Sequence, residues 1–268
     1  MRLAKGLDGI GALATGRLLG RRKRFFADIE LDGGAIVVAH CPNTGRMLGC
    51  LEPGAAVVVH DRASPRRSLQ WTWVLVRAGA SWVAVESAWA TLGVREAWTA
   101  GLLPELVGPR QCHAEVPYGE GGRIDLLLSD DDRPGRTSPR RMGRQPHTHP
   151  QTQPKIWVEV KATTMIQGDR VAAFPDAVTA RGTRQLADLV AQIESGDRAA
   201  VVFAVMRGDA DAFTVAASID PRYAAALREA CRRGLELYAI APSIRVQRRA
   251  GVVQAVDVRF VRRLPITI

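Results

Sequence analysis

Paired cysteines and long apolar runs are both missing from this 268-residue sequence. Its four cysteines form no CxxC pair, so the tight ligand knuckles of a structural zinc site are absent. His40-Cys41 and Cys112-His113, with Cys50, leave a looser zinc site open. No apolar stretch reaches the ~18 residues that span a bilayer, and residues 1–20 lack the apolar core of a signal peptide. We therefore expect a protein of the reducing cytoplasm without a membrane function.

Acidic residues are outnumbered by basic ones. Lys and Arg total 37 against 27 Asp and Glu, which gives a net charge of +10 and a pI near 10.3. This excess favours polyanionic partners through long-range attraction and counterion release. A basic, Arg- and Ala-rich proteome would produce the same excess without any nucleic-acid function. We predict DNA as the partner and leave RNA, association with the nucleoid and the oligomeric state open.

Short apolar stretches broken by turn residues fill the sequence from Arg24 to about Ala84. They read FFADIEL, AIVVAHC, AAVVVH, WTWVLVRAG and SWVAVES, with turn-forming segments such as Asp32-Gly33-Gly34 between them. Five short strands in so few residues match the size of an OB-fold barrel. An SH3-like barrel would give almost the same pattern.

The pattern changes after Glu86. Apolar residues then recur with helical spacing, and the strands RIDLLL, KIWVEVKA, AAVVFAVM and LELYAI alternate with helices predicted at 176–194 and 221–233. We predict the fold class α/β (α+β), with an OB-like nucleic-acid-binding domain over 1–84 and an α/β domain over 85–268. The segment of about 130–154 is rich in Pro, Arg, Gln and His and is predicted to be a disordered insertion.

Charged residues interrupt two of these apolar strands. Because side chains alternate along a strand, Glu159 and Lys161 share one face of KIWVEVKA, and Asp125 projects from RIDLLL among hydrophobic neighbours. A buried charge is costly unless it is paired or bound to a metal. Carboxylate oxygens suit a small, hard cation such as Mg²⁺ or Mn²⁺, and a lysine beside them can offset negative charge on a phosphate. The alternative is an ordinary exposed Glu and Lys, with Asp125 at a turn.

The order Asp, gap, Glu-x-Lys resembles the signature of the PD-(D/E)XK nuclease superfamily. Over nearly its whole length the sequence also resembles the sugar fermentation stimulation protein A family, through RRKRFFADI, HCPNTGRMLGC, AEVPYG, RIDLLL, WVEVKATT, FPDAVTARG, VVFAVMR and IDPRYAAAL. The resemblance implies DNA binding, an N-terminal OB-like domain and a nuclease-like C-terminal domain. It also implies that Asp125, Glu159 and Lys161 are the catalytic residues and that Asp125 and Glu159 hold the metal.

Further residues are weaker candidates. Glu96 or Glu115 could supply another carboxylate. Gln185 stands where the resembled family often has histidine. We interpret it as a polar surface residue, with contact to a phosphate or base as the alternative. Exposed donors at turns and helix starts suffice for phosphate contact. We therefore predict nucleic-acid-binding roles for Arg22, Lys23, Arg24, Asn43, Thr44 and Arg46 in the first domain and for Arg181 and Arg184 in the second. The alternative for the basic run is a solvated flank of the first strand.

Three functions fit these observations. The chain is a DNA-binding protein with a nuclease-like site, an active metal-dependent DNA or RNA nuclease, or a regulator of sugar metabolism without catalysis. No helix-turn-helix pattern is evident in the sequence, which disfavours the regulator. We predict DNA binding with a Mg²⁺- or Mn²⁺-dependent nuclease-like site, and leave open whether cleavage occurs.

Overall fold

The structure, a computed structural model, describes residues 1–4, 11–62, 68–118, 122–131 and 154–268. Most of the predicted insertion therefore lies outside the described residues. The helices are α1 (Ala88–Thr99), α2 (Ala180–Glu194) and α3 (Pro221–Arg232), with a 3-10 turn at Pro104–Leu106. The strands are β1 (Arg2–Ala4), β2 (Leu13–Arg22), β3 (Phe26–Leu31), β4 (Ile36–His40), β5 (Ala56–Asp61), β6 (Trp71–Ala78), β7 (Ser81–Ala84), β8 (Gln111–Tyr118), β9 (Gly122–Ser129), β10 (Ile156–Thr163), β11 (Ile166–Gln167), β12 (Val171–Phe174), β13 (Arg198–Val205), β14 (Ala212–Val215), β15 (Glu236–Arg249), β16 (Val252–Arg263) and β17 (Ile266–Thr267).

A closed β-barrel forms the first part of the chain. The strand order of its sheet is β4-β3-β2-β5-β6-β7. Because β4 also pairs with β6, the five strands β2 to β6 form a closed barrel. Leu18, Ile29, Met47 and Trp73 are fully buried inside. This confirms the OB-like barrel. The predicted strand set was wrong in one respect, because β2 belongs to the closure, whereas β7 lies outside it and pairs with β6 and, through Val83, with Arg207.

A seven-stranded mixed sheet organises the second part and confirms the α/β class. Its order is β1-β16-β15-β13-β10-β9-β8, with β10, β13 and β15 parallel. Helices α2 and α3 pack on one face, and α1 and the barrel pack on the other. A small sheet, β11-β12-β14-β17, completes the fold. The first strand in sequence, β1, lies at the edge of the large sheet against β16. The domain boundaries at 84/85 stay a prediction.

Helix α2 begins later than predicted. The sequence suggested a start at Asp176, but Thr179 is the N-cap, and its hydroxyl accepts a hydrogen bond from the Gly182 amide at 3.1 Å. Asp176 instead accepts a hydrogen bond from the Met47 amide in the barrel at 2.7 Å. The residue therefore ties the two parts of the chain together. Helix α3 agrees with the prediction, with Asp220 as its cap.

The barrel and the large sheet share one hydrophobic core. Val58 and Val74 from the barrel lie in the same buried cluster as Val158 and Val202 from the sheet. The backbone of Ala84 also donates a hydrogen bond to the Met206 carbonyl at 2.8 Å. Among the described residues, no helix combines the length and apolar character needed to cross a membrane.

Candidate active site

Asp125 and Glu159 lie on neighbouring antiparallel strands. Val158 of β10 pairs with Leu126 of β9. Because the strands are antiparallel, Glu159 after Val158 and Asp125 before Leu126 lie at the same end of this pairing. Asp125 Oδ2 accepts a hydrogen bond from the Val160 amide at 2.7 Å. This contact fixes Asp125 beside the Glu159–Lys161 segment. The structure therefore brings together the three residues that the sequence pattern singled out.

Glu159, Lys161 and Gln185 form a closed triangle of hydrogen bonds. Lys161 Nζ donates to Glu159 Oε1 and to Gln185 Oε1, each at 2.7 Å, and Gln185 Nε2 donates to Glu159 Oε1 at 2.6 Å. The geometry orients the Gln185 amide with its oxygen toward the ammonium and its nitrogen toward the carboxylate.

The interpretation of Gln185 as a polar surface residue was wrong. Gln185 follows the buried Gly182 by three residues and precedes the buried Leu189 by four, so it lies on the face of α2 that packs on the sheet. That spacing was visible in the sequence. The spacing alone does not show which residues of the sheet this face contacts, and these are Glu159 and Lys161.

The second oxygen of Glu159 is unpartnered. Glu159 is only 4% exposed, and its Oε2 has no hydrogen-bond partner among the described residues. Burial and the nearby charge of Glu159 raise the pKa of Asp125 to about 7, although the Val160 amide and Lys161 oppose this. The half-buried Asp125 and the buried Glu159 repel each other, and a proton or a cation between them would relieve this repulsion.

The two carboxylates fit a small, hard divalent cation. Mg²⁺ is typically held by one or two carboxylates and keeps several waters. Asp125 and Glu159 supply that number, and Glu159 Oε2 is a buried acceptor that such an ion would satisfy. Within the described part of the chain, no group of three or more His, Cys, Asp or Glu side chains is arranged to hold a metal, which also disfavours the looser zinc site. Any ion here would therefore depend on water or backbone for its remaining ligands.

Two tyrosines form an apolar wall near Glu159. Tyr118 stacks on Trp157 with ring centroids 5.7 Å apart, and Tyr223 is fully buried. Burial raises the pKa of both hydroxyls, and the charge of Glu159 raises each further. The tyrosines therefore stay neutral beside Glu159.

The site opens into a cavity of about 470 Å³. Arg123 and Arg181 lie at this cavity with exposed side chains, and Glu115 lines it from β8. Glu115 lies between Ala114 and Val116, at a position that the β8–β9 register leaves without a partner, so a role for its carboxylate stays a prediction. Glu96 does not line the cavity, because it lies on α1, where it pairs with the amino group of Met1. Arg184 is exposed on α2 but does not line the cavity.

A second cavity of about 290 Å³ lies between the barrel and the large sheet. Arg24, Asn43 and Thr44 line it on the barrel side, and Thr179 lines both cavities. Asn43 is 8% exposed, and its Oδ1 accepts a hydrogen bond from the Gly45 amide. Its side chain therefore builds the turn and has little surface to offer a ligand.

The basic run of the barrel is largely engaged within the protein. Arg21 donates to the carbonyls of Asn43 and Gly45 at 2.5 and 2.9 Å. Arg22 forms an ion pair with Asp28 at 2.9 Å. Lys23 and Arg24 adopt left-handed backbone conformations, with φ of 50° and 62°, in the turn after β2. Lys23, Arg24, Thr44 and Arg46 remain exposed and keep their predicted binding role as a hypothesis.

Comparison with known proteins places the chain in a family. Residues 90–248 match the model of the sugar fermentation stimulation protein RE domain, and residues 19–85 match the SfsA N-terminal OB domain. The chain belongs to the sugar fermentation stimulation protein family. This confirms the resemblance inferred from the sequence blocks.

Relatives support the assignment over most of the chain. The sugar fermentation stimulation protein homolog of Geobacter sulfurreducens is 38% identical over 95% of this chain and 96% of its own length. The homolog of Nitrosococcus oceani is 43% identical over 88% of this chain and 92% of its own. The structure of Pyrococcus furiosus SfsA in complex with Ca²⁺ is similar with a TM-score of 0.73 at 21% identity, and covers 99% of this chain and 98% of that one. The last comparison shows a shared fold.

Proposed function

We propose that this family member is a DNA-binding protein with a divalent-metal-dependent phosphodiesterase site at Asp125, Glu159 and Lys161. The observation that carries the proposal is the buried Oε2 of Glu159, which lacks a hydrogen-bond partner among the described residues and lies beside an Asp125 of raised pKa. Carboxylates that only stabilise a fold are normally satisfied by hydrogen bonds or ion pairs. Strongly perturbed carboxyl groups in a cavity are typical of functional sites.

Asp125 and Glu159 would hold Mg²⁺ or Mn²⁺. Such an ion supplies Lewis-acid chemistry, since it lowers the pKa of water and offsets negative charge on a phosphate. The Pyrococcus furiosus relative is described in complex with Ca²⁺, another hard cation that prefers oxygen ligands. This supports the choice of a hard divalent cation.

Lys161 would act on the phosphate. Glu159 and Gln185 account for two of its three N–H donors. The third can donate to a phosphate oxygen, where a fixed positive charge stabilises the negative charge that builds up during hydrolysis. Gln185 orients this ammonium by accepting one of its hydrogen bonds, so we assign it as a positioning residue.

The basic surface around the cavity favours a polyanionic substrate. Arg123 and Arg181 are exposed at the opening, and Arg184 follows on the same helix as Arg181. The chain as a whole carries +10. We propose DNA as the ligand and include RNA as a test, because phosphate contacts alone do not distinguish the two.

A cleavage and binding assay tests the proposal. Labelled single- and double-stranded DNA and RNA are incubated with the protein and Mg²⁺ or Mn²⁺, against an EDTA control. We expect DNA binding, cleavage that requires metal, and loss of cleavage in Asp125→Ala, Glu159→Ala and Lys161→Ala, with Asp169→Ala as the exposed matched control. If the wild-type protein binds DNA but does not cleave it, the site would serve metal-assisted DNA binding without catalysis. A wild-type protein that binds neither metal nor DNA would refute the proposal.

A further inference from the structure

Strands β15 and β16 continue beyond the rest of the large sheet as a two-stranded hairpin. The pairing of β13 with β15 ends at Ile240, whereas β15 runs on to Arg249. Among the described residues, β15 pairs from Pro242 onward only with β16, and the three residues of β1 border β16 on its other side. One face of this hairpin packs against the rest of the protein, since Ile244 and Val246 contact the buried core.

The opposite face of the hairpin carries arginines. Arg245 pairs in register with Asp257, which pairs in register with Arg2, so these side chains share a face across three strands. Arg259 lies two residues along β16 on the same face, and Arg249 is exposed near the hairpin turn. We call Arg2, Arg245, Arg249 and Arg259 the arginine face. Each of its members is exposed.

The charge of the arginine face is hardly neutralised. Within the described residues, Arg2, Arg245 and Arg249 form no ion pair, and Arg259 reaches Asp257 only at 3.9 Å. Two arginines of the barrel differ in this respect, because Arg17 is paired with Glu30 and Arg22 with Asp28, both at 2.9 Å. The hairpin therefore offers a positive surface that the predicted basic run only partly provides.

We propose that the arginine face binds the phosphate backbone of double-stranded nucleic acid. This inference rests on the proposed function and adds a second contact surface to it. Exposed guanidinium groups without carboxylate partners are matched in charge by a phosphate backbone. The exposed residues of β15 and β16 include no Phe, Tyr or Trp, so these two strands lack the stacking surfaces that single-strand binders use.

The position of the arginine face agrees with a role in holding a substrate for the site. Along β15, Leu237 and Ala239 point to the side of the sheet that carries Glu159 and Lys161, and Arg245 follows with the same alternation. The arginine face and the candidate active site therefore lie on the same side of the sheet. A duplex contact here would serve retention, with no residue of the arginine face acting on the reacting phosphate.

Equilibrium binding to one labelled sequence, as duplex and as single strand, tests the inference over a range of salt concentrations. The variant Arg245→Ser/Arg249→Ser/Arg259→Ser removes three charges from the hairpin. The matched control Arg222→Ser/Arg228→Ser/Arg232→Ser removes three from exposed positions of α3. We expect the hairpin variant to lose roughly tenfold or more in duplex affinity and to lower the salt slope by about 1 per arginine. Its single-strand affinity should change much less, and the control should stay close to wild type.

A lysine variant and a stability measurement keep the test decisive. Arg245→Lys/Arg249→Lys/Arg259→Lys retains the charge and should keep most of the duplex affinity, and thermal unfolding should show that all variants are folded. Equal duplex affinity in the hairpin variant and the α3 control would overturn the inference while leaving the proposed function intact. Wild-type protein that binds single strands but no duplex would have the same meaning. Failure of the wild type to bind either form would count against the proposed function as well.

Discussion

Replacing Asp125 with Asn should stabilise the metal-free protein. The pKa of Asp125 is about 7 in the folded protein against the usual 3.8, so the folded state holds this proton more tightly than the unfolded chain does. The free energy of unfolding should therefore fall as the pH rises from about 4 to about 7 and then level off. The full difference corresponds to about 4 kcal/mol. Asn removes the charge and keeps an oxygen for the Val160 amide.

Urea unfolding at two pH values measures this effect. At pH 8 in EDTA we expect Asp125→Asn to raise the unfolding free energy by about 2–4 kcal/mol, and at pH 4.5 by about 1 kcal/mol. Mn²⁺ at 100 times its Kd should reduce this advantage at pH 8 by about 2.7 kcal/mol, because the ion stabilises only the wild type. Asp169→Asn, at an exposed position, is the control. An Asp125→Asn variant that is no more stable than wild type at pH 8 without metal would refute the electrostatic reasoning.

Three further changes separate the roles of individual segments. Lys161→Met should keep Mn²⁺ binding in calorimetry and lower the cleavage rate by about 100-fold or more. Loss of metal binding would contradict the proposal that Lys161 contacts the phosphate and not the ion. Gln185→Leu should lower cleavage by about 10- to 100-fold, and Gln185→His should restore part of it; equal rates in both variants would argue against positioning. Deleting 133–153 should change the unfolding free energy by less than about 0.5 kcal/mol, because β9 and β10 are antiparallel neighbours whose ends a short turn can join; an insoluble product would contradict this.

The carboxylates and the lysine were predictable because a strand has a period of two. A charge inside an apolar strand is conspicuous in the sequence, and the alternation alone assigns Glu159 and Lys161 to one face. The barrel was predictable for a related reason, since its turns contain the Gly, Pro and Asn residues that break apolar stretches. Patterns of this kind depend on a few neighbouring residues, so they can be recognised in the sequence without knowledge of the fold.

The missed elements depend on contacts between distant residues. Strand β2 contains two glycines and two terminal arginines, and only its pairing with β3 and β5 buries Leu18. The role of Gln185 depends on Lys161 and Glu159, which lie 24 and 26 residues before it and contact it only in the folded protein. The arginine face arises because β1 and β16, which are far apart in the sequence, lie side by side. A pattern along one segment contains no information about such a neighbour.

The pairing of β1 with β16 sets an order of events during synthesis. Residues 2–4 leave the ribosome long before their partners, residues 255–257, have been made. The barrel strands between them are complete well before the large sheet can accept its edge strand. A nascent chain therefore carries β1 without its partner through most of translation, and the large sheet gains this edge strand only after β16 has emerged.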